Sequence, residues 1–253
     1  MWIAAGGDLH FAPATKVAAL RAELRAAASA ADLVLLAGDL TANGRPEEAA
    51  SLAEACADMG APVVCVLGNH DRRWRDGRVV AEALRNAGAV VLDPGSHVLD
   101  VGGVRVGIAG ATGAPGGFAG RPVWGLGPLA ERRWRRAAAE QASALDAALA
   151  DLADCAIRIA LLHYSPTAET LDGERPHLWP ALGSDRLAGP IHRHRPQLVL
   201  HAHAHEGAPR GRVGEVPVLN VSAQVIGRPL ALFDLPHSEG YGGRRSEHRN
   251  PTA

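Results

Sequence analysis

An α/β domain with a largely buried sheet is the fold class that this 253-residue sequence predicts. Short apolar runs of strand length alternate with longer, alanine-rich stretches of helical spacing, the pattern of strands covered on both faces by helices. The length suits one large domain or two small ones. With no internal repeat and no convincing linker, a single domain is expected.

The first apolar run, Trp2 to Ala5, predicts a strand. Pro13 stands where a helix can begin, and Val17, Leu20, Leu24 and Ala28 recur at helical spacing before the second run, Leu33 to Leu36. A second helix follows Pro46, with Glu47 and Glu48 where the helix dipole favours negative charge. Gly60 closes it ahead of the third strand, Val63 to Leu67. Arg78 to Asn86 predicts a helix, followed by strands near Val90 and Val98 and across Val104 to Ile108. Glycine and proline make residues 110–127 an irregular loop. Glu131 to Leu152 is the longest predicted helix, and Ile157 to Leu162 the next buried strand. Pro166, Pro176, Pro180 and Pro190 then predict loop with one short helix, before strands at Gln197 to Leu200, Val216 to Val221 and Pro229 to Leu235. The domain is expected over residues 1–236, and the polar, glycine-rich residues 237–253 as a mobile tail.

Composition excludes several classes of protein. Cys56, Cys65 and Cys155 form no C-x-x-C pair and cannot close an even disulfide set. The 26 basic and 27 acidic side chains nearly cancel, which argues against nucleic acid and against a membrane surface as partners. The single lysine, Lys16, follows Thr15 rather than a glycine-rich loop, so a Walker A phosphate loop is absent. No basic stretch precedes the opening apolar residues, Asp8 and His10 interrupt them at once, and no run of about 18 apolar residues occurs, so a cytoplasmic protein is expected.

The chemistry follows the strands. Asp8 and His10 come after the first run, Asp39 after the second, and Asn69, His70 and Asp71 after the third. His163 follows Ile157 to Leu162, and His201, His203 and His205 follow Leu200. Residues just past the C-terminal ends of parallel strands converge on one edge, where open α/β sheets hold their ligands. Taken singly, Asp8 or Asp39 reads as a turn residue, Gly68 to Asp71 as a tight turn and His163 as a core histidine. The alternating histidines are stronger, because alternate residues of an extended segment face the same way. All five groups in order, each at a strand end, point to a metal site.

The series Asp8-x-His10, Gly38-Asp39, Gly68-Asn69-His70-Asp71, His163 and Ala202-His203-x-His205 resembles the calcineurin-like metallophosphoesterases. The resemblance spans Asp8 to His205 and implies a four-layer α/β/β/α sandwich that binds two divalent metal ions. By the same resemblance Asp8, His10, Asp39 and His205 would bind the first ion, and Asp39 would bridge to the second with Asn69, His163 and His203. His70 would face the substrate as an acid, with Asp71 orienting its ring. One departure is visible, since Ala202 replaces the glycine expected before His203. His201 lies outside the signature and is expected either to support the ligand residues from behind or to be structural.

Two divalent ions carry four positive charges against the two carboxylates of Asp8 and Asp39. That surplus suits a small-molecule phosphate ester and a metal-bound hydroxide attacking phosphorus. Nitrogen and oxygen ligands without thiolate fit Mn, Fe, Zn or Co better than Mg. Phosphodiesters are the first choice, because no extra cationic pocket for a second phosphate charge is evident. A phosphomonoesterase and a non-catalytic metal-binding scaffold are the alternatives, and the sequence leaves the oligomeric state open. Arg72, Arg73, Arg75 and Arg78 read as a solvated helix start, although one of them could hold a phosphate oxygen and Trp74 could stack on a base. Arg132, Arg133, Arg135 and Arg136 read as solvent-facing. Gly125-x-Gly127-x-x-Ala130 imitates a dinucleotide fingerprint but follows no buried strand, and is rejected. The loop carrying Phe118 and Trp124, or the segment from Tyr164 to Trp179, could cover the metal edge.

Overall fold

The computed structural model describes residues 1–12, 17–119 and 127–235. The expected helix start at Pro13, Trp124 and the expected tail over 237–253 lie outside these residues. Two sheets stack face to face between layers of helix, giving the α/β/β/α sandwich.

The first sheet contains β1 (Trp2–Gly6), β2 (Leu33–Ala37), β3 (Val63–Val66), β4 (Val90–Leu92) and β11 (Ala231–Asp234), in the order β11-β1-β2-β3-β4. All pairs are parallel except β11 with β1. The second contains β5 (Gly95–Val101), β6 (Val104–Ala111), β7 (Ile157–Leu162), β8 (Leu198–His201), β9 (Arg210–Val213) and β10 (Val216–Asn220), in the order β5-β6-β7-β8-β10-β9. Its four central strands run parallel, with antiparallel β5 and β9 at the two edges.

Side-chain alternation along each strand divides the core. Ile3, Ala5, Leu33, Leu35, Val64 and Val66 meet Ile108, Ile159, Leu161 and Leu200 between the sheets. Ala4, Val34, Leu36 and Cys65 point the other way, against α1 (Val17–Ala28), α2 (Pro46–Ala57) and α3 (Arg78–Asn86), through Leu24, Leu52 and Leu84. On the far side, Ala160, Leu162 and Val199 pack on α4 (Pro128–Ala150) and α6 (Ala188–His194) through Leu145, Leu149 and Ile191. The core strands therefore carry apolar residues on both faces, the reason their runs are unbroken.

Two expectations are corrected. The segment between β7 and β8 holds more than one short helix: turns at Ala168–Leu171 and Asp185–Leu187, α5 (Trp179–Leu182) and α6. Thr167 and Ser184 start the two turns by accepting hydrogen bonds from Glu169 N and Arg186 N, and Pro180 lies in the first turn of α5, where its missing N–H costs nothing. β9, too, was not predicted, because Arg210-Gly-Arg-Val is a polar, largely exposed edge strand with no apolar run. A short helix, α7 (Ala223–Ile226), follows β10. Among the described residues, no helix is long and apolar enough to cross a membrane.

Candidate metal centre

β1, β2 and β3 of one sheet and β7 and β8 of the other deliver the predicted site residues to one edge. His163 spans the two sheets: its Nδ1 donates to the Ala37 carbonyl at the end of β2, 2.9 Å away. The loops after the strands are tied by main chain, with Asp8 N donating to Gly38 O at 2.9 Å and His10 N to Asp39 O at 3.1 Å.

Glycine precedes Asp39 and Asn69 for steric reasons. Gly38 has φ +82°, and a β-carbon there would lie 2.8 Å from both Gly68 N and His163 Nδ1. A β-carbon on Gly68 would lie 2.1 Å from Asp39 Oδ1. The bare backbone at Gly68 is the space that the Asp39 carboxylate occupies. Asp8, His10, Asp39 and His203 also have positive φ, at 54°, 46°, 49° and 70°. Such strain in residues with side chains concentrates at functional sites.

Donor atoms of Asp8, His10 and His205 lie within 4.8 Å of one another, as do those of Asp39, His163 and His203, and those of His10, Asp39 and His70. His10 and Asp39 thus link the first group to the second. Asn69 joins the second group, its Oδ1 3.0 Å from His163 Nε2. Asp8 and Asp39 are buried, whereas His205 stands at the exposed rim. Asp8 Oδ2 accepts from His203 N at 2.8 Å and lies 3.4 Å from His205 Nε2. Asp8 Oδ1 is buried and has no hydrogen-bond partner among the described residues. An unpartnered carboxylate oxygen among imidazole nitrogens fits a cation.

Electrostatics favour positive charge here. Burial opposes ionisation of Asp39, but the His163 charge and hydrogen bond outweigh it and hold the carboxyl well below its usual range. Burial likewise opposes ionisation of Asp8, yet His205 and His163 lower its pKa. His163 would lose its proton through burial alone, and the adjacent Asp39 raises it instead to about 9. For His203, burial and then the charge of His163 outweigh the pull of Asp39 and Asp8 and push it down to about 3. A cation held by His163 would take the place of its proton, and its binding would release protons.

His70 lies at the same edge, partly exposed, with Nδ1 donating to Ala42 O at 2.8 Å and Nε2 accepting from Arg73 at 2.8 Å. The expected orientation of its ring by Asp71 is corrected: Ala42 O does that work. Asp71 is fully buried and accepts from Leu40 N, Thr41 N, Thr41 Oγ1 and Gly68 N, so its carboxylate ties the β2 and β3 loops together. His201 is buried away from the donor groups, with Nδ1 donating to Ala202 O and Nε2 paired with Thr170 Oγ1, both at 2.8 Å. Sequence reasoning missed the carbonyls of Ala37 and Ala42, whose roles leave no trace in residue type. It also passed over the buried Thr41 and placed Tyr164 only in a covering segment, whereas the Tyr164 ring lies 4.4 Å from that of His203.

Comparison with known proteins agrees with this architecture. The protein TT1561 of Thermus thermophilus superposes with a TM-score of 0.60 at 20% identity, over 92% of this chain and 98% of that one. Phosphopantetheinyl hydrolase from Mycobacterium tuberculosis superposes with a TM-score of 0.69 at 16% identity, over 95% and 98% of the two chains. At these identities the likeness is one of fold. Comparison with curated protein sequences finds no match. The model of the calcineurin-like phosphoesterases, a family of phosphate-ester hydrolases, matches residues 1–207, and the chain belongs to that family.

Proposed function

We propose that this chain is a two-metal hydrolase of small-molecule phosphoric esters that favours diesters. The observation that carries the reading is the linked pair of donor groups, joined through His10 and Asp39, around a buried carboxylate oxygen that nothing else satisfies. Asp8, His10, Asp39 and His205 would hold one ion, and Asp39, Asn69, His163 and His203 the other; Mn, Fe, Zn or Co suits the donors. Such ions, when bound, supply Lewis-acid polarisation of phosphoryl oxygens and lower the pKa of coordinated water.

The protein's own part is positioning. The Nδ1 bond to Ala37 O turns His163 Nε2 toward Asn69 and Asp39. The Ala42 carbonyl fixes His70 in the same way, leaving Nε2 to hold or give a proton to the leaving oxygen once Arg73 yields its place. Arg72 is neutralised by Asp93, so among the described residues on the Asn69 side no free cation awaits a second phosphate charge. Arg73 favours the alternative, a phosphomonoesterase, because its hydrogen-bond partners are all neutral: Ala42 O, Asn43 and His70. A scaffold without turnover has no need of His70.

Purified protein with Mn²⁺ should cleave bis-p-nitrophenyl phosphate faster than p-nitrophenyl phosphate, with two metal equivalents found in the same preparation. The reverse order supports the monoesterase. Full metal occupancy without cleavage of any ester in a panel of cyclic nucleotides, glycerophosphodiesters and monoesters would sink the hydrolase reading.

A further inference from the structure

A cleft of about 320 Å³ opens from the metal centre at Asn69, between the β3 loop and α4, lined by Arg72, Asp93, Thr112, Gln141 and Tyr164. Its charges are already matched. The Arg72 guanidinium pairs with Asp93, donates to Thr112 Oγ1 at 3.2 Å and lies 3.8 Å from Asp76. Glu140, which also lines it, is held by Arg136 at 2.7 Å. A terminal phosphate entering this cleft would therefore find two carboxylates nearby and, among the described residues, no unpaired cation.

Its neutral donors, by contrast, are unused. Gln141 Oε1 accepts from Gly113 N at 3.0 Å, which fixes the amide, and the Gln141 amino group has no hydrogen-bond partner among the described residues. Tyr164 is 9% exposed, with its ring packed against His203, and its hydroxyl has none either. The hydroxyl is not sealed from solvent, so a ligand entering the cleft can reach it. Ala114, Pro115 and Ala137 supply an apolar wall. A few placed polar groups on an apolar wall are the usual make-up of a small-molecule site.

We propose that this cleft binds one alcohol substituent of a phosphodiester, an uncharged group rich in hydrogen-bond acceptors, with Gln141 and Tyr164 donating to it. The proposal rests on the ester-hydrolase reading and gives its diester preference a location: the second substituent of a diester has a place to lie. The chemistry is that of a nucleoside or a polyhydroxy alcohol, as opposed to a bare alkyl group or a second phosphate.

The test compares two diesters of p-nitrophenyl phosphate, one carrying thymidine and one carrying methyl, on the Mn²⁺-loaded full chain. Tyr164→Phe removes only the hydroxyl, and Gln141→Glu keeps the acceptor for Gly113 N while removing the donor. Metal content and thermal unfolding are measured on each variant. Wild-type protein should prefer the thymidine ester in kcat/KM, and each variant should reduce that preference by about fivefold to tenfold, with the methyl ester little changed. An equal loss on both esters, or no wild-type preference, overturns the cleft assignment while leaving the hydrolase reading intact. If neither ester is turned over, the diesterase reading fails, and the hydrolase reading with it unless p-nitrophenyl phosphate is cleaved. The cleft is then decided by calorimetry with methyl thymidine phosphate and dimethyl phosphate: selective binding weakened in both variants upholds it, and unselective or absent binding overturns it.

Discussion

The methyl group of Ala202 fills the space that Gly7 leaves by having no side chain. A β-carbon on Gly7 would lie 2.6 Å from the Ala202 β-carbon, a distance no packed pair adopts. The departure from the family's glycine before His203 is thus accommodated across the sheet edge. Gly7→Ala should destabilise the protein by ~1–3 kcal/mol, and adding Ala202→Gly should restore part of that loss. Urea unfolding of the two single variants and the double variant gives the coupling. Strict additivity would show that the two positions do not share this space.

His70→Ala should leave metal content unchanged and lower kcat by ~10²–10⁴, the usual worth of a positioned acid. Elemental analysis and turnover on one preparation check both halves. Turnover equal to wild type would remove His70 from the reaction.

Asp39→Asn should cost one or both metal equivalents, since the Asp39 carboxylate lies with His163 and His203 and also reaches His10 of the other donor group. The variant also deprives His163 of the charge that keeps it protonated. Retention of two tightly held ions would mean that Asp39 does not link the sites.

Asp71→Asn should act on stability. Its carboxylate accepts four hydrogen bonds, and an amide offers only one acceptor oxygen while turning a second donor toward donors. Burial, and then the charge of Asp39, raise the Asp71 pKa, so the group is held by these contacts against an unfavourable setting. A loss of ~3 kcal/mol is expected by chemical denaturation. A variant as stable as wild type but slow in turnover would return Asp71 to a direct part in catalysis.

Metal-free protein should be most stable near pH 6.5, the ordinary histidine value. His163 is raised to about 9, so its stabilisation is complete below 6.5 and is lost as the pH climbs through about 9. His201 and His203 act oppositely. Burial lowers them to about 4 and about 3, so below 6.5 the unfolded chain takes up protons that the fold refuses, and stability falls with pH. Urea midpoints in chelator should trace a maximum between these limits, and a monotonic rise through pH 9 would contradict the His163 environment.

Much of this was legible because apolar runs and the polar residues after them are both marked by residue type. Asp8, Asp39, Asn69, His163 and His203 were placed by their strand ends alone, and the α3 span Arg78–Asn86 was read residue for residue. β9 was not legible, since an edge strand carrying Arg210 and Arg212 shows no apolar period. The role of Asp71 was hidden for another reason. Adjacency in sequence put it beside His70, but its partners Leu40, Thr41 and Gly68 arrive through the fold.

The left-handed backbone at Asp8, His10, Asp39 and His203 limits which residues evolution or an engineer can use there. Short polar side chains tolerate that conformation; longer or β-branched ones resist it. Glutamate, although it offers the same carboxylate, must therefore meet a conformational penalty at Asp8 and Asp39 that has nothing to do with coordination. The residues favoured at these loops are asparagine, aspartate, histidine and glycine, although Arg75 and Arg195 adopt the same backbone elsewhere in the chain, and a library weighted to those four letters explores the centre at the least cost to its frame.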